Sequence, residues 1–376
     1  IGPAIAGLLI TAVGTAAPFG VNALSCLIAA IAIFCWRPQT NKVSTLPPEP
    51  LVGSIATGLR HAANNRALKA TLLRAAAFFL CASAFWSLLP LIARSFPGSD
   101  SRLYGLLLAS VGIGAVGGAL LLPGLRKRYG SNRLALAASG LLALVLLTLA
   151  LSPNRYAAIA ASLAGGLAWI TTMVNLNLSA QSALPDWVRA RGLALFLMVF
   201  SGSMTVGSLL WGQVAQATSI PQALVVAAVV LLLPLGWLGR VRIGQGEGLD
   251  LSPALAWEKP VVAPTLGDAL DRGPVMVTID YVIDPAEEQA FLTTLHELSA
   301  SRYGDGAHQW GVYQDAAEPA RWTEWFLLPS WAEHLRQHER TSQAGEDVNA
   351  AARSFHRGGD RPVVRHLLAP NRGRNS

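Results

Sequence analysis

The sequence predicts a mainly α-helical membrane protein that crosses the bilayer several times and carries an α+β domain at its C-terminal end. Of its 376 residues, 52% are hydrophobic and 14% are charged, and the mean hydropathy is positive. This composition is too apolar for a soluble protein of that size. Apolar stretches of about 20 residues, the length that crosses a bilayer core, recur up to residue 240. After residue 274 the pattern changes to short runs typical of strands and amphipathic helices.

We expect eight membrane spans, the first of them incomplete. They lie near residues 1–14, 18–36, 70–93, 103–123, 133–152, 156–183, 191–217 and 221–239. Basic residues concentrate in every second loop, and the positive-inside rule places those loops in the cytoplasm. The C-terminal region follows such a loop, so we expect a multi-pass protein of the cell (inner or plasma) membrane with a cytoplasmic C-terminus. The pI of 9.7 therefore reflects topology, and no nucleic-acid partner is expected.

Two helical hairpins within these spans look like copies of one unit. The residues Gly2-Pro3, Gly7, Pro18 and Arg37 recur about 200 positions later as Gly207-Ser208, Gly212, Pro221 and Arg240. Parallel repeats are typical of transporters whose two halves move around a site between them. Since the first copy begins at residue 1, we expect an N-terminally truncated chain that lacks about 140 residues of one half.

These patterns divide the chain into six segments. Residues 1–36 are the last two helices of the N-terminal transporter half, residues 37–66 are a cytoplasmic linker with a surface helix, and residues 67–240 are a six-helix C-terminal half. Residues 241–273, rich in Gly and Pro, form a second linker. Residues 274–370 form the cytoplasmic α+β domain, and residues 371–376 are a tail.

The α+β domain is predicted from the order of its elements. We expect strands at about 275–281, 308–313, 322–328 and 363–368, and helices at about 285–301 and 331–355. This order, strand, helix, strand, strand, helix, strand, is ferredoxin-like, with both helices on one face of an antiparallel sheet. Its tryptophans cover the sheet core or a dimer face. We therefore expect a homodimer through this domain, as in dimeric α+β barrels.

Three short motifs carry a resemblance to a known family. They are Gly2-Pro3-x-x-Ala6-Gly7, similar to the end of the fifth-helix motif of antiporters, Gly124-x-x-x-Arg128-x-Gly130-x-x-Arg133, and Pro185-Asp186-Trp187-Val188-Arg189-Ala190-Arg191-Gly192. In the second motif Lys127 stands where an acidic residue is usual. With the C-terminal domain, the chain resembles the transmembrane secretion effector branch of the major facilitator superfamily, to which enterobactin exporters are similar.

This resemblance implies a fold of 12 spans, of which about eight are present, and export that is proton-driven. It also implies a gating or structural role for the motif residues Gly2, Pro3, Gly7, Gly124, Arg128, Gly130, Arg133, Asp186, Arg189 and Arg191. Proton relays generally need an intramembrane carboxylate or His, yet before residue 247 the only acids are Glu49, Asp100 and Asp186, all in loops. We expect the coupling residue in the missing half.

Polar residues inside spans are costly and are therefore candidates for substrate binding. Thr171 and Asn175 lie on one helical face together with Ser179, and Asn177 and Gln181 lie on a neighbouring stripe. Ser83, Trp86 and Thr205 on other spans complete a candidate cavity wall. The alternative is that Ser and Thr bond carbonyls of their own helix. For Ser110, Gly114 and Gly118, spaced four apart, we favour close helix packing.

No cofactor and no metal site are expected. The chain has no Gly-rich nucleotide loop, and its three cysteines lack paired spacing. In Glu333-His334-x-x-x-His338-Glu339 two histidines are four residues apart, but the His-Glu-x-x-His order and a clear third ligand are missing. We expect a solvated helix face there.

The sequence thus favours a secondary transporter, not an enzyme. It would export small hydrophobic or amphipathic molecules by alternating access, with the lipid bilayer and the small-molecule substrate as partners. Two alternatives remain. The C-terminal domain could be a monooxygenase-like enzyme tethered by the helices, or the chain could be a truncated relic that does not transport.

Overall fold

The computed structural model describes residues 13, 16–37, 46, 47, 49–96, 101–233, 242–244, 246–254 and 270–370. The chain divides into two compact units. The first comprises Ile1–Val43, Ala70–Ala180 and Leu195–Gly244, and the second comprises Ser44–Lys69, Gln181–Ala194 and Gln245–Ser376. The second unit therefore combines the expected linker, one loop between spans and the C-terminal region. The sequence patterns assigned these three stretches to separate segments.

Seven helices are described before the C-terminal region. They are α1 (Ala16–Cys35), α2 (Leu51–Asn64), α3 (Arg66–Ser95), α4 (Ser101–Leu151), α5 (Arg155–Ser182), α6 (Asp186–Ala217) and α7 (Ile220–Leu232). Among the described residues, α3 to α6 are long and apolar enough to cross a membrane. The first predicted span lies almost entirely outside the described residues, and the last is described only to residue 233. The number of eight spans therefore stays a prediction.

Helix α4 contains two of the predicted spans. It breaks at Gly130, whose φ of 74° and ψ of 161° are not helical, so it consists of segments 101–129 and 131–151. A positive φ is readily adopted by glycine because glycine has no Cβ. The expected loop at residues 124–132 is therefore wrong, since helical residues reach Gly130 from both sides.

Glycines bring α4 and α5 into close contact. A Cβ on Gly114 would lie 1.9 Å from the carbonyl oxygen of Leu163, and one on Gly166 would lie 1.9 Å from that of Val111. A Cβ on Gly118 would lie 2.6 Å from a methyl carbon of Ile170. The predicted packing role of the small residues on α4 is confirmed at Gly114 and Gly118.

The C-terminal region forms a four-stranded antiparallel sheet with helices. Its elements are β1 (Val275–Val282), a 3₁₀ turn (Pro285–Glu287), α8 (Glu288–Gly304), β2 (Gln309–Gln314), β3 (Arg321–Leu328), α9 (Trp331–Arg340), α10 (Gln343–Ser354) and β4 (Val363–Leu368). The strand order is β2-β3-β1-β4, and Val277 lies opposite Phe326 and His366. The single helix expected at residues 331–355 is wrong. Ser342 accepts a bond from the N–H of Gly345 and starts a new helix.

The interior of this region contains an ion pair within an apolar core. Side chains of β1 alternate between buried and half-buried, as expected for a sheet with one covered face. Arg302 on α8 donates from Nε to the Glu324 carboxylate on β3 at 3.0 Å, and the Trp310 indole donates to the same carboxylate at 3.0 Å. Burial opposes a charge on Arg302, but the Glu324 carboxylate outweighs it and raises the pKa of Arg302.

Candidate functional site

Four aromatic rings from three helices of the first unit form a cluster. Phe79 and Trp86 lie on α3, Trp169 on α5 and Phe200 on α6. Ring centroids are 5.4 Å apart for Phe79 and Trp169, 5.2 Å for Trp86 and Trp169, and 4.7 Å for Phe79 and Phe200. Phe79 is fully buried, and the other three are half-buried. We call these four residues the aromatic cluster. The Phe79 ring is fully packed, whereas the other three rings keep part of their surface accessible.

Two buried hydrogen-bond donors on α3, one of them on the cluster residue Trp86, lack a partner among the described residues. The indole nitrogen of Trp86 and the hydroxyl of Ser87 are buried, and within the described part of the chain neither has a hydrogen-bond partner. A buried polar atom that is left unpaired costs roughly 1–3 kcal/mol, so it needs a water or a ligand as partner. Apolar walls with a few polar groups are typical of small-molecule sites. Of the four cluster residues, sequence reasoning identified only Trp86.

The predicted polar face of α5 is packed inside the first unit. Thr171, Asn175 and Ser179 are buried, whereas Asn177 and Gln181 are half-buried. The Asn175 amide donates to the carbonyl oxygen of Ser131 at 2.9 Å, directly after the break in α4. Its own Oδ1 and the Thr171 hydroxyl lack a hydrogen-bond partner among the residues described. Asn175 therefore contributes to helix packing and also leaves an acceptor available.

Ser83 and Thr205 both bond to their own helices. Ser83 donates to the carbonyl oxygen of Leu80 at 2.6 Å, and Thr205 donates to that of Ser201 at 2.9 Å. Such bonds within one helix satisfy the hydroxyl without a ligand. Ser83 also lies against Gly207, where a Cβ would be 2.1 Å from the serine hydroxyl.

In the second unit, α2 packs against the C-terminal region. The His61 ring donates from Nδ1 to the carbonyl oxygen of Gly304 at 3.2 Å, and Arg60 donates to that of Gly306 at 2.9 Å. Burial lowers the pKa of His61. The Glu49 carboxylate pairs with Arg340 on α9. The linker residues are thus held by the C-terminal region through both backbone and charged contacts.

The family comparison agrees with these features. The model of the transmembrane secretion effector family matches residues 1–374. The chain belongs to the transmembrane secretion effector family. This family is a branch of the major facilitator superfamily, so the predicted family is confirmed, and the chain belongs to an integral membrane protein. The match includes the sheet region.

No curated protein matches the chain. One matching crystal structure is that of a bacterial homolog of the human lysosomal transporter Spinster, inward-facing and unoccupied, at 14% identity and a TM-score of 0.39. The alignment covers 65% of the secretion effector and 65% of that chain.

The family motifs of the secretion effector occupy different environments. Gly2, Pro3 and Gly7 lie outside the described residues. Gly124, Arg128 and Arg133 are exposed around the break at Gly130, and the Arg128 guanidinium lies 5.4 Å from the Tyr129 ring centre.

The third motif contacts the linker and the C-terminal region within the second unit. Asp186 is exposed in the first turn of α6 and pairs with Arg189 at 2.6 Å. Arg191 pairs with Glu49 at 2.9 Å. Burial of Glu49 opposes its charge, but Arg340 and Arg191 outweigh this and lower the pKa of the carboxyl.

Trp187 joins the same network. Its ring lies 5.3 Å from that of His61, and the Arg340 guanidinium lies 4.6 Å from its ring centre. We call Glu49, His61, Trp187, Arg191 and Arg340 the linker network. Of the predicted gating residues, Arg191 belongs to this network, and its contact with Glu49 could not be predicted from spacing in the sequence.

The histidines expected on a solvated helix face are instead packed together. His334 on α9 is 2% exposed, and its Nε2 lies 3.3 Å from Nε2 of His338, one turn later. His366 on β4 lies with its ring centroid 4.8 Å from that of His334. The expectation of a solvated face is therefore wrong, because β4 contributes a third imidazole that sequence spacing could not indicate.

Proposed function

We propose that the protein is a secondary exporter of small hydrophobic or amphipathic molecules that works by alternating access. The observation that carries this proposal is the aromatic cluster with its two unpaired donors, Trp86 Nε1 and Ser87 Oγ. Ring surface favours apolar or aromatic cargo, and the donors favour cargo that also carries a polar acceptor. An amphipathic molecule satisfies both.

The position of the aromatic cluster along the helices supports this proposal. Trp169 and Phe200 lie near the middle of α5 and α6. Substrate sites of secondary transporters generally lie near the bilayer midplane. Three spans contribute rings, so a small rotation of one of them would change the accessible aromatic surface.

The polar residues of the predicted cavity wall remain part of the proposal. Thr171, Asn175, Asn177 and Gln181 on α5 lie up to three turns beyond Trp169, and Ser83 and Thr205 lie on the same helices as the other rings. Because Asn175 and Ser83 also hold helices together, a test of either one has to separate transport from folding. Gln181 is half-buried and is the better probe.

Proton coupling is a further part of the proposal. Residues 51–185 contain only one acid, Asp100, and it lies in a loop in the sequence prediction. The described helices therefore offer no obvious carboxylate for a proton relay. A protonophore that stops export in energised vesicles would support proton coupling, and unchanged export would contradict it.

The main experiment measures efflux of a fluorescent amphipathic dye from cells or proteoliposomes that contain the full protein. Trp169→Ala and Phe200→Ala should reduce export at least fivefold, because loss of an aromatic contact costs roughly 1 kcal/mol or more. Tyr156→Ala is the matched control, since Tyr156 is exposed on the same helix as Trp169. Membrane abundance is measured for every variant.

Equal export by the wild type and both cluster variants, at equal abundance, would disprove the role of the aromatic cluster. A loss of export in Tyr156→Ala of the same size would show that the effect is not specific to the cluster. A panel of apolar, cationic and anionic dyes then defines the cargo class.

We also propose that the second unit is cytoplasmic and that its sheet is a ferredoxin-like domain that pairs with a second copy. The strand order β2-β3-β1-β4 and the antiparallel pairing support the domain type. The sheet face away from the helices carries half-buried Trp325 and Leu327 and exposed Leu367. Trp325→Glu should dissociate a dimer of the purified protein, as measured by light scattering, and an unchanged mass would contradict this interface.

A further inference from the structure

We propose that His334, His338 and His366 bind one divalent transition-metal ion of the zinc class. One ring nitrogen of each residue lies within 4.8 Å of the others. Two ligands come from one face of α9, and the third comes from β4, which follows α10 in the chain. A bound ion would therefore join a helix to an edge strand of the sheet.

The distances suit this ion. A tetrahedral zinc ion with bonds of about 2.0–2.1 Å places its nitrogen ligands about 3.4 Å apart. The Nε2 atoms of His334 and His338 are 3.3 Å apart, which matches one edge of that tetrahedron. The third nitrogen lies within 4.8 Å of these two, so His366 has to move by about 1 Å to complete the tetrahedral edge lengths.

Imidazoles are common metal ligands in proteins, because a neutral ring offers the lone pair of one nitrogen to the ion. His334 is buried on α9, and its ring centroid lies 4.8 Å from that of His366 and 4.7 Å from that of His338. The three rings are therefore close together before any ion binds.

The surroundings of the three histidines leave a route for an ion, and the ligand atoms favour one class of metal. His338 and His366 are half-exposed, so an ion has a route from solvent. Three protein ligands leave a fourth position for water, as in open zinc sites. Nitrogen ligands favour Zn²⁺, Cu²⁺ and Ni²⁺ over Mg²⁺ and Ca²⁺. The nearby cation Arg302 is neutralised by its bond to Glu324 at 3.0 Å.

The test uses the full chain purified in detergent, freed of metal with a chelator and then titrated with Zn²⁺ by calorimetry. We expect one ion per chain, and Co²⁺ should give the intense visible absorption of a tetrahedral complex. His338→Gln and His366→Gln should each weaken Zn²⁺ binding at least 100-fold, since loss of an outer contact alone costs about 10- to 100-fold. Both residues are half-exposed, so the variants should fold.

His308→Gln is the matched control, because His308 is exposed on the same domain. It should bind Zn²⁺ as the wild type does. Circular dichroism and thermal unfolding in chelator confirm that the variants are folded before binding is compared. Equal Zn²⁺ affinity in the wild type and His366→Gln, or the absence of tetrahedral Co²⁺ absorption in the folded wild type, would overturn the proposal.

Discussion

Glu49 and Arg340, 291 residues apart in the sequence, form an ion pair in the second unit of the secretion effector. The side chain of Arg340 is 4% exposed and that of Glu49 is 19% exposed. Arg340 also pairs with Glu333 on its own helix, and Glu49 also pairs with Arg191. A carboxylate in the linker thus connects α9 with the first two turns of α6.

Glu49→Gln should loosen the linker residues from the C-terminal region. The variant removes the charge that faces two guanidinium groups, so we expect amide exchange in α2 to rise about tenfold, which corresponds to roughly 1.4 kcal/mol. Hydrogen exchange with mass spectrometry measures this. Glu297→Gln, at an exposed position on α8, should leave α2 unchanged. Unaltered exchange in Glu49→Gln would mean that the ion pair does not hold the linker.

Gly207→Ala should destabilise the first unit. Its new Cβ would lie 2.1 Å from the Ser83 hydroxyl and 2.5 Å from the carbonyl oxygen of Leu80, and the carbonyl cannot rotate away. Overpacking of this kind costs about 1–3 kcal/mol. A lower midpoint of thermal unfolding in detergent is the expected result. Gly202→Ala on the same helix should be tolerated, because nothing lies within 4 Å of its Cβ. Equal midpoints for the two variants would refute the close contact of α3 and α6.

Glu324→Gln should destabilise the sheet region by roughly 3–5 kcal/mol, since it leaves the buried Arg302 without its counterion. Glu324 is fully buried and also accepts from Trp310. Glu318→Gln removes an exposed pair with Arg321 and should cost about 0–1 kcal/mol. Amide hydrogen exchange in β1 and β3 distinguishes the two variants, because it should rise in Glu324→Gln and stay near the wild-type rate in Glu318→Gln. Similar protection in both would contradict a structural role for the buried pair.

Asp305→Asn should change stability in a pH-dependent manner. Burial raises the pKa of Asp305 to about 6 from 3.8, although Ser301, Arg340 and Arg302 oppose the shift. Because the folded pKa is the higher one, the protonated carboxyl favours the folded state. The stabilisation by the protonated Asp305 carboxyl is fully present below about pH 4 and is lost as the pH rises through 6.

The Asn variant keeps a neutral side chain at all pH values. Its stability relative to the wild type should therefore rise between pH 4.5 and pH 7.5, by about 2 kcal/mol. Neighbouring His61 has a lowered pKa and titrates in both proteins, so it cancels in the comparison. Thermal unfolding of the second unit at both pH values provides the measurement. A difference between variant and wild type that does not vary with pH would contradict the raised pKa.

Local patterns in the sequence predicted most of the helices and strands, but not where one helix breaks or a new one begins. The apolar runs at 70–93, 156–183 and 191–217 correspond to α3, α5 and α6, because a span of that length has to be helical in a bilayer. The helical structure of residues 124–132 was not predicted, since the basic and Gly-rich pattern indicated a loop, whereas one glycine with positive φ is enough to break the helix. The family and the strands of the C-terminal region were predicted correctly.

Contacts between segments that are far apart in the sequence could not be predicted from it. The rings of Trp86, Trp169 and Phe200 meet only because of how three helices are rotated about their axes, and no spacing within one helix contains that information. His366 joins His334 through the pairing of an edge strand. The signal that the sequence offered for the aromatic cluster was the position of Trp86 and Trp169 in the interior of two predicted spans.

The second unit is assembled from three stretches of chain, and this affects how the secretion effector can be engineered. A deletion that begins near residue 270 would remove Arg340, so Glu49 and Trp187 would each lose a partner in regions far from the cut. A loss of export after such a deletion would therefore not be due to the missing sheet region alone, because the contacts of the linker and of the start of α6 are lost as well. Chimaeras between relatives should exchange residues 44–69, 181–194 and 245–376 together, as one module.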